Sequence, residues 1–273
     1  MLVYPNAKIN LGLNIIRKRL DGYHDIETVF YPIGLCDVLE VETSETCSDY
    51  SFSSSGIEIK GDPEDNLIIK AYHLLRSEYE FPPVDISFVK QIPFGAGLGG
   101  GSSDAAFLLK TLNEMYALKI TPAKLEKLAA KLGADCPVFI KNKPVYASGI
   151  GNVFSKIKLS LKGYFLLLVK PDIHVSTPEA YSLVQPHEPE ISLLEFIQNP
   201  VETWRDNIKN DFEVSVFARY PEVGDIKQKM YELGAIYASM SGSGSSVYGI
   251  FRKEPFIDTD FNNSFITGGF LSK

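Results

Sequence analysis

The chain has 273 residues, room for one large domain or two of ordinary size, with the 45% hydrophobic and 22% charged content of a globular protein. A formal net charge of −7 leaves no broad basic surface, so nucleic acid is not an expected partner. Cys36, Cys47 and Cys136 show no CxxC spacing, which argues against a disulfide framework or zinc site and fits a reducing compartment.

Along the chain, "MLVYPNAKIN" lacks the pattern of a secretory leader, and the strongest apolar run, "YFLLLV" at 164–169, is far short of the ~20 residues of a membrane helix. A cytoplasmic protein without membrane contact is expected. The first ninety residues read mostly as strands: "VYPNAKINLGLNII", "IETVFYPIG", "DVLEVETSE", "SFSSSGIEI" and "VDISFVKQI". Several alternate apolar and polar residues as half-buried antiparallel strands do. Between them, "NLIIKAYHLLRSEY" has helical spacing at Leu67, Ala71, Leu74 and Leu75.

A glycine-rich loop then leads into a helix expected over Ala105–Tyr116, with Ala106, Leu109, Leu112 and Tyr116 on one face. In "TPAKLEKLAAKLGADCP", Thr121 is the expected cap, Pro122 the first helical residue and Gly133 the stop. "NVFSKIKLSLKG" reads as a strand and connector, and "YFLLLVKPDIHVST" as a buried strand entering a polar turn. "DFEVSVFARYPEVGDIKQKMYELG" is amphipathic helix, and "AIYASMSGSGSSVYGIFRK" is two strands around a glycine–serine turn. Grouped strands and helices, not regularly alternating, make the class α+β, with a boundary near Val153.

The most informative stretch is "PFGAGLGGGSSDAAFLLKTLNEMY", where five glycines crowd in front of a helix. Glycine permits positive φ and close backbone approach at an entropic cost, and a helix start offers unpaired N–H groups to an anion. The loop is not GxxxxGK[ST], because no Gly-Lys pair occurs in the chain. Gly95, Gly97 and Gly100 satisfy GxGxxG, but the acidic residue due about 20 positions on is missing from "KITPAK". A plain capping turn built on Ser102 or Ser103 needs one glycine, and five imply a backbone that wraps something.

This loop resembles the phosphate loop of the GHMP kinases. "PNAKINLGL" near the start and "SMSGSGSSVYGIF" near the end resemble that superfamily's first and third motifs, in order. "AKINLGLNIIRKRLDGYHDIETVF" and "LGADCPVFI" are similar, more narrowly, to the 4-diphosphocytidyl-2-C-methyl-D-erythritol kinase family of the non-mevalonate isoprenoid pathway. The Asp-Gly-Tyr-His run is what narrows the resemblance. It implies a two-domain GHMP kinase fold, with a ribosomal-protein-S5-domain-2-like N-terminal domain over 1–153 and a ferredoxin-like C-terminal domain over 154–273. The implied reaction transfers the γ-phosphoryl of ATP, with Mg2+ expected, to the 2-hydroxyl of a small cytidine diphosphate-linked methylerythritol. A monomer or homodimer is expected.

Residue roles follow from the same resemblance. Asp135 in "GADCP", otherwise a turn aspartate, becomes the general base, and Lys8 in "AKINLGL", otherwise an edge-strand lysine, its cationic partner. Asn10, two residues on and on the same strand face, is expected to hydrogen-bond the substrate. Tyr23 and His24 would read the cytosine, with Thr177 and Tyr181 beside it. Tyr181 stands where a phenylalanine is more familiar and still offers a stacking face. Pro93, Phe94, Gly95, Ala96, Gly97, Leu98, Gly99, Gly100, Gly101, Ser102 and Ser103 would wrap the ATP phosphates. No residue is assigned to the metal, and Asp104 takes no role. The Ser241–Ser246 turn is expected to pack backbone against backbone under the phosphate loop.

Overall fold

The computed structural model describes residues 1–59, 61–257 and 261–272. Its packing divides into two compact units that interleave along the chain, 1–7, 35–94 and 99–143 against 8–34, 95–98 and 144–273. This division by packing differs in kind from a single cut between family domains.

The first unit is a four-stranded sheet with helices. Leu2–Val3 pairs antiparallel with Val38–Thr43, which pairs antiparallel with Val84–Lys90. Tyr50–Gly56 completes the order by lying parallel to Val84–Lys90, Phe52 opposite Ile86. The sequence pattern read several of these strands as antiparallel. The parallel pair arises because the chain returns through the helix Leu67–Glu78, and a crossover, unlike a hairpin, brings a strand back in the same direction. Asn66 caps that helix by accepting from the Ile68 N–H at 2.9 Å. Its Ile68, Ile69, Ala71, Tyr72 and Leu75 face inward, and it packs on the helix Gly100–Met115. The latter starts earlier than expected, so Gly100 to Ser103 form its first turn. Thr121 caps Pro122–Ala130 as read, but the helix stops three residues before Gly133, which is not left-handed.

The second unit carries two sheets. One runs Asn6–Lys18, His24–Cys36, Val145–Ser148, Val153–Lys156, the last two forming a hairpin the sequence did not announce. The other is antiparallel, in the order Tyr237–Met240, Val247–Phe251, Phe165–Lys170, Phe265–Phe270. Phe165, Leu167 and Val169 contribute to a core shared with Val216, Val223, Ile226 and Met230. The last four lie on two helices, Glu213–Arg219 and Pro221–Glu232, where one run was read. Proline at 221 disfavours helical dihedrals at Tyr220, whose φ of −130° breaks the run. Trp204 is fully buried in this unit, its indole N–H donating to the Asn199 carbonyl at 2.9 Å and its ring edge-on to Tyr237. Among the described residues no helix is long and apolar enough to cross a membrane.

Candidate active site

In the first unit, Val84–Lys90 delivers the chain to Pro93 and Phe94, and the helix Gly100–Met115 receives it. Gly99, at φ 69°, is the N-cap of that helix and offers it no side-chain hydrogen bond. Ser103 N–H turns back to the Gly99 carbonyl at 2.9 Å, and the first-turn N–H groups are of the kind that suit an anion. Ser103 Oγ is buried with no hydrogen-bond partner among the described residues. Cys136 packs near Ser102, and burial pushes its thiol up to about 11, so it stays a neutral neighbour. Asp135 stands in the tight turn before Val138–Lys141, its carbonyl accepting from Val138 N–H at 3.2 Å.

Beneath this helix start lies a cluster the sequence reading did not find. Lys90 is 2% exposed, and its ammonium meets Asp37 at 2.5 Å and Asp104 at 3.0 Å. Asp37 also accepts from the backbone N–H groups of Gln91 and Ile92 at 2.5 and 2.8 Å. Burial drives the Asp104 carboxyl well above the usual aspartate range, opposed by the Lys90 charge and reinforced by Asp37. A Cβ on Gly100 would come within 3.0 Å of Lys90 Nζ, so the cation lies directly under the first helical residue. The available signal was parity: Lys90 shares the inward face of its strand with Val84, Ile86 and Phe88.

In the second unit the remainder of the loop, 95–98, docks on two elements. Lys8 N–H donates to the Leu98 carbonyl at 2.9 Å. Gly97 is left-handed, and a Cβ there would overlap the Ser241 carbonyl oxygen, so the Ser241–Ser246 turn and the loop do meet backbone to backbone. Ser241 Oγ donates to the Gly97 carbonyl at 2.8 Å and accepts from Asn10 N–H at 3.2 Å. The buried Lys8 ammonium donates to Asn10 Oδ1 at 2.7 Å and to the Gly97 carbonyl at 3.1 Å. Asn10, read as a substrate contact, thus spends its side chain on Lys8 and, through Nδ2, on Thr28 Oγ1 at 2.9 Å. Tyr248, kept a neutral phenol by burial, donates to the Asn10 carbonyl at 2.7 Å.

His24 and Tyr181 come together as a stacked pair, centroids 4.6 Å apart, and Phe212 packs edge-on against Tyr181. Thr177 opens the short helix Thr177–Tyr181, which Ser176 and Glu179 close with a reciprocal capping box. Tyr23 is 62% exposed in a turn whose backbone N–H donates to Asp21 Oδ1. Among the described residues no cluster of three or more His, Cys, Asp or Glu side chains forms a metal site.

Residues 66–143 match the N-terminal domain of the GHMP kinases, and residues 193–256 their C-terminal domain. The chain is 57% identical to a 4-diphosphocytidyl-2-C-methyl-D-erythritol kinase of Bacteroides fragilis (strain YCH46), across 97% of both proteins. It is 54% identical to the protein of the same name from Parabacteroides distasonis, with both chains fully covered. A crystal structure of 4-(cytidine 5'-diphospho)-2C-methyl-D-erythritol kinase superposes with a TM-score of 0.77 at 33% identity, over 92% of this chain and 90% of that one. Mevalonate kinase from Methanococcus jannaschii shares the fold, with a TM-score of 0.73 at 14% identity over 100% of this chain and 98% of that one. The α+β architecture, the glycine loop feeding an uncapped helix and the near-full-length identity agree: this chain belongs to the 4-diphosphocytidyl-2-C-methyl-D-erythritol kinase family of GHMP kinases.

Proposed function

We propose that the chain transfers the γ-phosphoryl group of ATP to the 2-hydroxyl of 4-diphosphocytidyl-2-C-methyl-D-erythritol, giving the 2-phosphate and ADP. The observation that carries this reading is identity of more than half the residues, over nearly the full length, with relatives bearing that kinase's name. The uncapped helix start and the buried Ser103 hydroxyl, without a hydrogen-bond partner among the described residues, support it.

In the reaction a bond forms between the 2-oxygen and Pγ as the bond from Pγ to the β,γ-bridging oxygen breaks. ADP leaves, and the hydroxyl proton passes to the Asp135 carboxylate. The transition state is loose, so positioning and charge compensation supply most of the rate. Lys8 provides a fixed positive charge for the oxygens that gain charge. Backbone N–H groups of 93–103 hold the phosphates. Mg2+, carried by the triphosphate, would neutralise β- and γ-oxygens, with Ser103 Oγ as the ligand this chain offers. Tyr23, His24, Thr177 and Tyr181 bind the cytidine, and Asn10 serves the substrate's diphosphate or methylerythritol portion. We place the boundary between the family domains at residue 153, inside the interval separating the two matched segments. We place the enzyme in the cytoplasm, where its three free cysteines stay reduced, as a monomer or homodimer.

The test is ADP release from ATP and magnesium with four acceptors offered separately: the cytidylated substrate, the same molecule without cytidine, homoserine and mevalonate. Turnover with the first alone is expected, and turnover with any other alcohol would overturn the substrate assignment. Asp135→Asn is expected to bind both substrates normally and to lose ~10²- to 10⁴-fold in kcat, the usual contribution of a placed base. Near-parental turnover would return Asp135 to the status of a turn residue.

A further inference from the structure

The Lys8 ammonium is held by an amide whose orientation the structure explains. Thr28 is fully buried on His24–Cys36, and its one hydroxyl proton has an obligate destination, because Gly12 O at 2.6 Å can only accept. The Thr28 oxygen is therefore left to accept, and it does so from Asn10 Nδ2 at 2.9 Å. An amide with its nitrogen committed on one side presents its oxygen on the other, where Lys8 Nζ lies 2.7 Å from Oδ1. Reversed, the same amide would set N–H groups against a cation. The backbone of Asn10 is fixed as well, by Tyr248 at its carbonyl and Ser241 at its N–H. The end of this relay reaches the phosphate loop, because Lys8 Nζ also donates to Gly97 O at 3.1 Å.

We propose that Thr28 is a positioning residue for phosphoryl transfer: it orients the Asn10 amide so that its oxygen faces Lys8 and holds the ammonium beside the phosphate loop. Thr28 touches neither nucleotide nor acceptor and acts only through Asn10. The inference rests on the catalytic role given to Lys8 above.

Thr28→Val keeps the shape and removes the hydroxyl, while Thr28→Ser keeps the hydroxyl and removes a methyl. With the protein's own ATP and cytidylated acceptor, Thr28→Val is expected to lose ~10-fold in kcat through misplacement of a reacting-centre charge, with both KM values within about 2-fold. Thr28→Ser is expected to restore kcat. In a Lys8→Met background, adding Thr28→Val is expected to cost less than about 2-fold, since groups acting as one unit are not additive. Should Thr28→Val fail to fold, Thr28→Ala compared with Thr28→Ser reads the same difference. Parental kcat in Thr28→Val, no rescue by serine, or a full additional loss without Lys8 would each overturn the role of Thr28. Full activity in Lys8→Met would overturn the reading of Lys8 and this inference with it, an outcome distinct from the other three.

Discussion

Among the described residues two lysines are buried, and the contacts that each makes within its own unit differ in chemistry. Lys90, in the first unit, lies between the carboxyl groups of Asp37 and Asp104. Lys8, within its own unit, donates to an amide oxygen and a backbone carbonyl. A cation clamped by two acids serves as a joint: it ties Val84–Lys90 to the helix that starts at Gly100, and its charge is fully committed. The two oxygens that hold Lys8 within its unit fix the direction of its ammonium. Within their own units, one lysine ties a strand to a helix and the other is oriented against the glycine loop.

That contrast predicts different failures. Lys8→Met is expected to lose ~10³-fold in kcat, the scale of one preorganised electrostatic contact, with a smaller shift in urea unfolding than Lys90→Met gives. A Lys8→Met enzyme that turns over normally would erase the distinction. Lys90→Met is expected to lose about 3 kcal/mol or more of unfolding free energy, because Asp37 and Asp104 would be left as uncompensated buried acids. Unchanged stability there would show the clamp to be ornamental.

Asp104→Asn is the mildest probe and works through pH. Burial raises the Asp104 carboxyl in the folded state, so the native protein holds that proton more tightly than the unfolded chain does. Stability from this group is therefore complete below pH ~3.9, the unfolded value, and is lost as pH rises through the raised folded value. The asparagine variant should show a flatter decline of unfolding free energy across that window. An identical slope would mean that another group sets it.

The sequence disclosed the local turns and caps more readily than the long-range geometry. Five glycines before a helix announced a loop with backbone at positive φ, and Thr121 with Pro122 announced a helix start, because those signals are local. That Gly100 to Ser103 are already helical was not legible, since glycine propensity argues against it and the packing over Lys90 overrides propensity. Lys8 and Asn10 stood out as polar residues in an apolar strand. Their partner Thr28 did not, because threonine is at home in any strand and only pairing across the sheet brings it to Asn10. The parallel strand Tyr50–Gly56 and the closing strand Phe265–Phe270 depend on long-range partners in the same way.

Trp204 gives these comparisons an optical handle. It is the chain's single tryptophan, and it lies in the second unit, sealed against Tyr237 and hydrogen-bonded to Asn199. Indole emission therefore reports the unit that carries Lys8 and is blind to the one that carries Lys90, whereas far-ultraviolet circular dichroism sums both. In a denaturant titration of Lys90→Met, a dichroism transition that runs ahead of the fluorescence transition would reveal the two units melting separately, without any label being attached.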